Sequence, residues 1–328
     1  MALDVKVKID LKKPIGKLAF GYPLILSIGA AEDYTECKTL DEVVTAGYST
    51  ETDTYKSAAL MFEQNNPPAK IAVCGVAATT DLSAIKDKPW RQLVVAGFDA
   101  GAEDSATDLA AITTYIKTTT DKMFFATVNG SAKLASLGDS DRIVGFVHSD
   151  PLAVSALVGE AAGRDAGSFT YKNLILKGIE PESYTDTDLD TIHTANGLTF
   201  VTKAGDNVTS EGKVMSGEYI DIIDSEDYII TQLEYQTQKT LNSMAKVPYD
   251  NNGIAILESV AVNVMKDAYN KGIIATNDDG SPAYSVNYAL RDQTDPADRA
   301  ARKYLGGQFS FTLSGAIHTV EITGEIII

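Results

Sequence analysis

"KMFFATVNGSAKLASLGDSDRIVGFVHSDPLAVSALVGEAAG", residues 122–163, holds the pattern that decides the fold. KMFFATV and RIVGFV are continuous apolar runs rather than alternating ones, which reads as strands buried on both faces. A short helical stretch around Lys133 and Leu134 lies between them. Asp150-Pro151 then gives an N-cap followed by proline at the first helical position, opening the helix LAVSALVGEAAG. Continuous apolar strands separated by helices imply a parallel sheet covered on both sides.

The same pattern extends in both directions. YPLILSIG (22–29), KIAVCGV (70–76) and QLVVAGF (92–98) read as further buried strands. Thr52 to Asn66 reads as a helix with Tyr55, Ala58, Ala59 and Phe62 on one face, stopped by Pro67 and Pro68. A second helix starts near Asp104 or Ser105, with Leu109, Ile112 and Ile116 at core spacing. From Phe169 to Asp221 the sequence is polar and turn-rich: a short acidic helix ending at Gly197, then hairpins with glycine turns. A long helix is expected from about Glu226, with Ile230, Leu233, Leu241 and Met244 on one face, ending before Pro248. Asn252 is the expected cap of another helix, with Leu257, Val260, Ala261, Val264 and Ala268 as its stripe and Gly272 closing it after Lys271. AYSVNYAL and QFSFTLSG are two more strands. The expected fold class is α/β: a mostly parallel sheet flanked by helices in the larger domain, plus a C-terminal α+β domain with terminal strand arms. The expected boundaries are 1–20 for an N-terminal strand arm, 21–223 for the α/β outer domain with its hairpin-rich end, 224–314 for the α+β inner domain, and 315–328 for a C-terminal strand arm.

Composition narrows the function. The chain has 328 residues, 44% of them hydrophobic, enough for one large core or two medium ones. Its 28 Lys and Arg against 45 Asp and Glu give a net charge of −17. That balance argues against nucleic acid and against anionic lipid as partners, because both reward clustered cations. Cys37 and Cys74 form neither a disulfide scaffold nor a zinc site, and Cys74 sits in a strand run as a buried thiol. The N-terminus MALDVKVKIDLKKP carries charges where a signal peptide needs an apolar core, so synthesis and folding in a cytoplasm are expected. No apolar run approaches the roughly 20 residues that span a bilayer.

Catalytic motifs fail one at a time. His148, Ser149 and Asp150 follow the strand RIVGFV, at the carboxyl end where α/β folds place their sites. Three consecutive side chains cannot relay a proton among themselves, and a turn with Asp150 as the helix N-cap is the preferred reading. An α/β hydrolase-like enzyme centred there is the alternative functional reading. GDSDR at Gly138 starts like a nucleophile elbow, but Arg142 stands in place of the second glycine. In GDNVTSEGKV, Gly205 and Gly212 are too far apart for a phosphate loop, and Val214 replaces the magnesium-binding hydroxyl. Asp186, Asp188 and Asp190 resemble a calcium loop, but Thr191 replaces the turn glycine and Gly197 the closing glutamate. His148, His193 and His318 lack metal-ligand spacing. The expectation is no catalytic residue, no cofactor and no metal.

The two ends are unusual. Leu3, Val5, Val7, Ile9 and Leu11 alternate with Asp4, Lys6, Lys8, Asp10 and Lys12, the period of a strand with one apolar face. Pro14 and Gly16 separate this run from the rest. At the other end, in GAIHTVEITGEIII (315–328), Val320, Ile322, Ile326 and Ile328 share a face opposite Glu321, Thr323, Glu325 and Ile327. The first strand is rich in lysine and the last carries glutamates, and opposite charges facing across a strand pair contribute roughly 0.2–1 kcal/mol each. An apolar edge left unblunted invites strand addition by another copy. Pairing of the two ends within one chain is the equal alternative from composition alone.

Four ordered segments carry a resemblance. GYSTETDTYKSAALMFEQNNPPAKIAVCGV, MSGEYIDIIDSEDYIITQLEYQTQKTL, VPYDNNGIAILESVAVNVMKDAYNKGII and DPADRAARKYLGGQFSFTLSGAIHTVEITGEIII resemble, in the right order, the sheath proteins of contractile tails. Part of that family is called subtilisin-like; the missing triad means that label does not imply proteolysis here. The resemblance implies a structural subunit in a virion tail or tail-like particle. Such subunits stack as hexameric rings in a helical tube around an inner tail tube, between a baseplate and a tail terminator, and exchange terminal arms. On contraction they drive the tube through a cell envelope. It implies an intersubunit arm carried by Val5, Val7, Ile9, Leu11, Val320, Ile322, Ile326 and Ile328, and bending at Pro14, Gly16, Gly315 and Gly324. It also implies a tube contact on the helix from Asn252 to Lys271, through Lys266 and Lys271. A non-contracting capping protein of the same particle is the other structural reading.

Overall fold

The computed structural model describes residues 21–320. In chain order the elements are β1 (Leu24–Ile28), β2 (Glu32–Cys37), α1 (Leu40–Thr45), α2 (Asp53–Glu63), β3 (Ile71–Val76), β4 (Gln92–Val95), α3 (Ala106–Lys117), β5 (Met123–Val128), β6 (Ile143–Val147), α4 (Ala153–Ala162), α5 (Asp186–Thr194), β7 (Leu198–Lys203), β8 (Asp206–Thr209), α6 (Ile220–Ser243), α7 (Asn251–Asn270), β9 (Tyr284–Tyr288), α8 (Pro296–Ala300) and β10 (Gly307–Phe311). A single-turn 3-10 segment, Ser83–Ile85, precedes β4, and a longer one, Ser131–Leu137, links β5 to β6.

The first eight strands form one sheet in the order β2-β3-β1-β4-β5-β6-β7-β8. Six of them run parallel, with β2 antiparallel on one edge and β8 antiparallel on the other. This is the mostly parallel sheet that the apolar runs predict. β3, β4, β5 and β6 are buried at every position because helices cover both faces. Alternate residues enter opposite cores. Ile25, Val73, Val94, Phe125 and Val144 pack with α2 and α4 on one face. Leu24, Cys74, Leu93, Phe124 and Ile143 pack on the other with Leu109, Ile112 and Ile116 of α3.

A third core lies apart from the sheet. Ile229 and Leu233 of α6 meet Ala261, Val264, Met265 and Ala268 of α7, and the apolar side of the β9–β10 hairpin closes over them. Helix α6 thus serves two cores, since Ile220 and Ile223 at its start belong to the first. It is one continuous helix across residues 223 and 224.

Several expectations shift. Helix α6 begins at Ile220, six residues before Glu226, and Met244 is exposed at its end. Asp250, not Asn252, caps α7: its Oδ1 accepts the Gly253 N–H at 2.9 Å. The stripe of α7 runs through Ile254, Ala261, Val264, Met265 and Ala268, one position round from Leu257 and Val260. Helix α4 starts at Ala153, because Asp150 Oδ1 accepts the Leu152 N–H (2.9 Å) and closes a turn first. Helix α2 buries Thr54, Ser57, Ala58 and Met61, with Tyr55 and Phe62 flanking. The stretch read as hairpins holds one hairpin, β7–β8, and β7 extends the main sheet beside β6.

Helices α2 and α4 approach closely because α4 carries Gly159 and Gly163 one turn apart. A Cβ at Gly159 would lie 2.5 Å from Met61 Cα, and one at Gly163 would lie 1.9 Å from the Asn66 carbonyl oxygen. Both obstacles are backbone, which cannot rotate away. Gly159→Ala is expected to lower the unfolding free energy by ~1–3 kcal/mol through overpacking, although alanine favours an isolated helix. Urea denaturation checks the sign; a stabilised variant would mean that the two helices can separate freely.

Candidate functional site

The sequence-derived catalytic candidate is a structural turn. His148 is buried at the carboxyl end of β6, and both of its ring nitrogens face the backbone. Nδ1 receives the Asp150 N–H at 3.0 Å, and Nε2 lies 3.0 Å from the Glu180 carbonyl oxygen, to which it donates. Ser149 is exposed, and its N–H donates to Glu182 Oε1 at 2.6 Å. These bonds hold Glu182 below the usual carboxylate range against the opposing effect of its burial. Asp150 spends its carboxylate on the turn into α4. The three residues are adjacent but form no proton relay.

The other rejected motifs have equally local explanations. Ser140 Oγ accepts the Arg142 N–H at 3.1 Å, a side-chain turn in place of an elbow. Ala204 and Gly205, both at positive φ, are the two-residue turn of the β7–β8 hairpin. Asp188 forms a capping box with Thr185 at the start of α5. Among the described residues no group of three or more His, Cys, Asp or Glu side chains could hold a metal. No helix among them is long and apolar enough to cross a membrane.

The unusual chemistry lies at the opposite, amino end of the sheet. Arg91 immediately precedes β4, and its side chain is 2% exposed. Its guanidinium reaches Asp224 Oδ1 at 2.5 Å and Asp227 Oδ2 at 2.6 Å, both on α6. It also donates to the Asp121 carbonyl oxygen at 2.9 Å. Arg142, just before β6, pairs with Asp227 as well. Tyr171 donates its hydroxyl to Asp224 Oδ2 at 2.9 Å, and burial beside that charge pushes the phenol well above its ordinary range. Asp224 and Asp227 are three residues apart and so share one face of α6. The arrangement fixes the rotation of α6 and hence which of its residues enter each core. It joins the sheet to α6, and Tyr171 and Asp224 also line a small cavity of about 130 Å³ with Gln92 and Tyr228.

Other contacts cross the same joint. Lys271 at the end of α7 pairs with Asp165 of the α/β unit at 2.9 Å and lies over the Tyr228 ring. Gly21 passes over Arg91 at φ 103°, where a Cβ would lie 2.6 Å from that of Arg91.

The β9–β10 sheet is small and one-sided. Tyr284, Val286, Tyr288, Phe309 and Phe311 face the third core, while Ser285 and Ser310 meet each other on the outer side at 2.8 Å between hydroxyls. Among the described residues, β9 and β10 form a sheet of two strands. Two-stranded sheets are marginal in water without further strands or a packed helix. Of the residues expected to act in assembly, Lys266 is exposed on α7, whereas Lys271 is turned to Asp165. Gly315 is exposed, with no described atom within 4 Å of where its Cβ would stand, and Val320 is 71% exposed. Val5, Val7, Ile9, Leu11, Pro14, Gly16, Ile322, Gly324, Ile326 and Ile328 lie outside the described residues.

Comparison with known proteins places this fold among solved structures. Residues 220–326 match the family described as E217 tail sheath protein gp31-like, C-terminal domain. The whole chain also superimposes on the contracted helical sheath of the anti-feeding prophage, with a TM-score of 0.73 at 13% identity over 98% of each chain. For the contracted sheath complex of an extracellular contractile injection system the TM-score is 0.75 at 10% identity, over 98% of this chain and 96% of that one. A sheath tail protein from Desulfitobacterium hafniense gives 0.60 at 10% identity, over 94% and 99%. No curated protein matches the sequence. The fold is that of contractile-tail sheath proteins.

The region that matches this family model begins at Ile220, the first residue of α6. Its opening helical turns are buried in the α/β core, so this domain is anchored in its neighbour by the helix that starts it. Sequence reasoning missed the joint because Arg91 is 133 residues from Asp224. The available signal was three aspartates at three-residue spacing, Asp221, Asp224 and Asp227, among the isoleucines of IDIIDSEDYII (220–230). Arg91→Met is expected to cost ~3–5 kcal/mol, because it strands buried carboxylates. Adding Asp224→Asn and Asp227→Asn should recover part of that loss. Chemical denaturation of both variants tests this, and a single variant that loses less than ~1 kcal/mol would refute it.

Proposed function

We propose that the chain is the structural subunit of a contractile tail sheath, polymerising around an inner tube and contracting to drive that tube through a cell envelope. The observation that carries this is a sheath-type C-terminal domain whose two-stranded sheet is unfinished, in a chain whose two ends both alternate like strands. Strand addition by arms of other copies would supply the missing hydrogen-bond partners and protect the edges. The arm residues are Val5, Val7, Ile9, Leu11, Val320, Ile322, Ile326 and Ile328, with bending at Pro14, Gly16, Gly315 and Gly324. Glycine and proline are where backbone rules change, so rigid domains can turn there while ladders stay intact.

The partners follow from the same reading: further copies in stacked hexameric rings, an inner tail tube, a baseplate and a terminator. The particle is a virion tail or tail-like assembly built in the bacterial cytoplasm. The related sheaths are structural proteins, and this chain acts without catalysis. Lys266, exposed on α7, is the better-placed tube contact; Lys271 would first have to leave Asp165. Binding to acidic tube groups through Lys266 would weaken with salt.

Removal of Val320–Ile328 tests the arm directly. The truncated chain should keep its thermal midpoint and remain monomeric in sedimentation, while the full chain forms tubes visible by negative-stain microscopy. Tubes formed equally well by the truncated chain would refute arm exchange.

A further inference from the structure

We infer that Thr170, Glu211 and Tyr219 form a docking seat for the chain's own C-terminal segment, occupied by the imidazole of His318. Exposure singles out this residue. Ile317 is 84% and Val320 71% exposed, yet the His318 side chain is only 12% exposed. Its Nδ1 lies 3.0 Å from Glu211 Oε1 and its Nε2 2.9 Å from Thr170 Oγ1. The Tyr219 ring meets it edge-on at 4.9 Å between centroids. Both ring nitrogens and one ring face are therefore engaged.

The seat is held by contacts of its own. Glu211 accepts the Gly212 N–H at 3.1 Å and pairs with Lys172 at 3.4 Å. Lys172, Gly212 and His318 together keep the Glu211 carboxyl below its usual range despite burial. Thr170 Oγ1 also accepts the Lys172 N–H at 3.4 Å. With Nδ1–H donating to Glu211, Nε2 accepts from the Thr170 hydroxyl. A protonated ring donates to Thr170 instead, so the geometry holds in either state.

All three seat residues belong to the outer unit, with Tyr219 at the cap of α6. Four residues before His318, the Ser314 N–H donates to the Ile273 carbonyl oxygen of the inner unit at 2.9 Å. Gly315, Ala316 and Ile317 between them are exposed. The segment is thus a strap from the inner unit to the outer one, across the joint that Arg91 closes. It fixes the point from which the chain continues toward Ile328. Pinning that root lowers the ordering cost of any later strand addition. This consequence for assembly rests on the sheath reading; the seat itself does not.

Spin labels test the seat in the full chain. Both native cysteines are buried, so Ile317→Cys and the exposed Thr187→Cys label selectively. Pulsed electron spectroscopy on monomeric protein should give one narrow distance distribution. His318→Ala should broaden it at least two-fold, Glu211→Gln should broaden it less, and His318→Gln should restore part of the order, all with an unchanged thermal midpoint. Dilution with unlabelled protein should change nothing, since the contact lies within one chain. A distribution equally broad with and without His318, or one lost on dilution, would overturn the proposal. In a sheath-forming preparation, normal tube assembly by His318→Ala would overturn the assembly role alone. Absence of tubes from the unsubstituted chain would instead count against the sheath reading.

Discussion

Arg91 held between Asp224 and Asp227 is the constraint on which the rest of the molecule depends. A guanidinium taken out of water is costly, and the pair repays that cost only with short, well-formed bonds. Here two carboxylates of one helix face supply them, at 2.5 and 2.6 Å. The result is orientation more than stability. Greasy contacts alone would let α6 roll; two fixed carboxylates do not. With α6 set, Ile220 and Ile223 enter the sheet core while Ile229 and Leu233 enter the core under α7. One continuous helix then joins the two units without a flexible linker.

That layout places the mechanical joint at the amino ends of the parallel strands, where Arg91 and Arg142 stand. The carboxyl ends, where α/β enzymes build their sites, hold the self-satisfied turn of His148 to Asp150. The C-terminal unit packs the apolar side of its small sheet on α7, and among the described residues that sheet has two strands, with residues 273–276 bridged to its end.

The buried parallel strands were legible because burial on both faces leaves an unbroken apolar run. Leu109, Ile112 and Ile116 were legible for the same reason, as a stripe at helical spacing. The edge strand β2, EDYTEC, and the short helices α1 and α8 were not, since polar edge strands and single-turn helices have no apolar period. The start of α6 was misplaced because Asp224 and Asp227 look like solvent-facing residues until Arg91 is known to face them. Asp250 was passed over for Asn252, although each is a good cap and only the backbone decides. Arg91 pairs with Asp224 at a separation of 133 residues and His318 with Glu211 at 107. No local pattern records such pairs. The alternation at the two ends gives a face and not a register, and it falls mostly outside the described residues.

Cryo-electron microscopy of the assembled full chain tests the central claim most directly. The account predicts a helical tube of stacked rings in which the β9–β10 sheet gains strands from other copies while α6 still joins both units through Arg91. A chain that stays monomeric at high concentration, or a tube whose small sheet keeps only its own two strands, would contradict it.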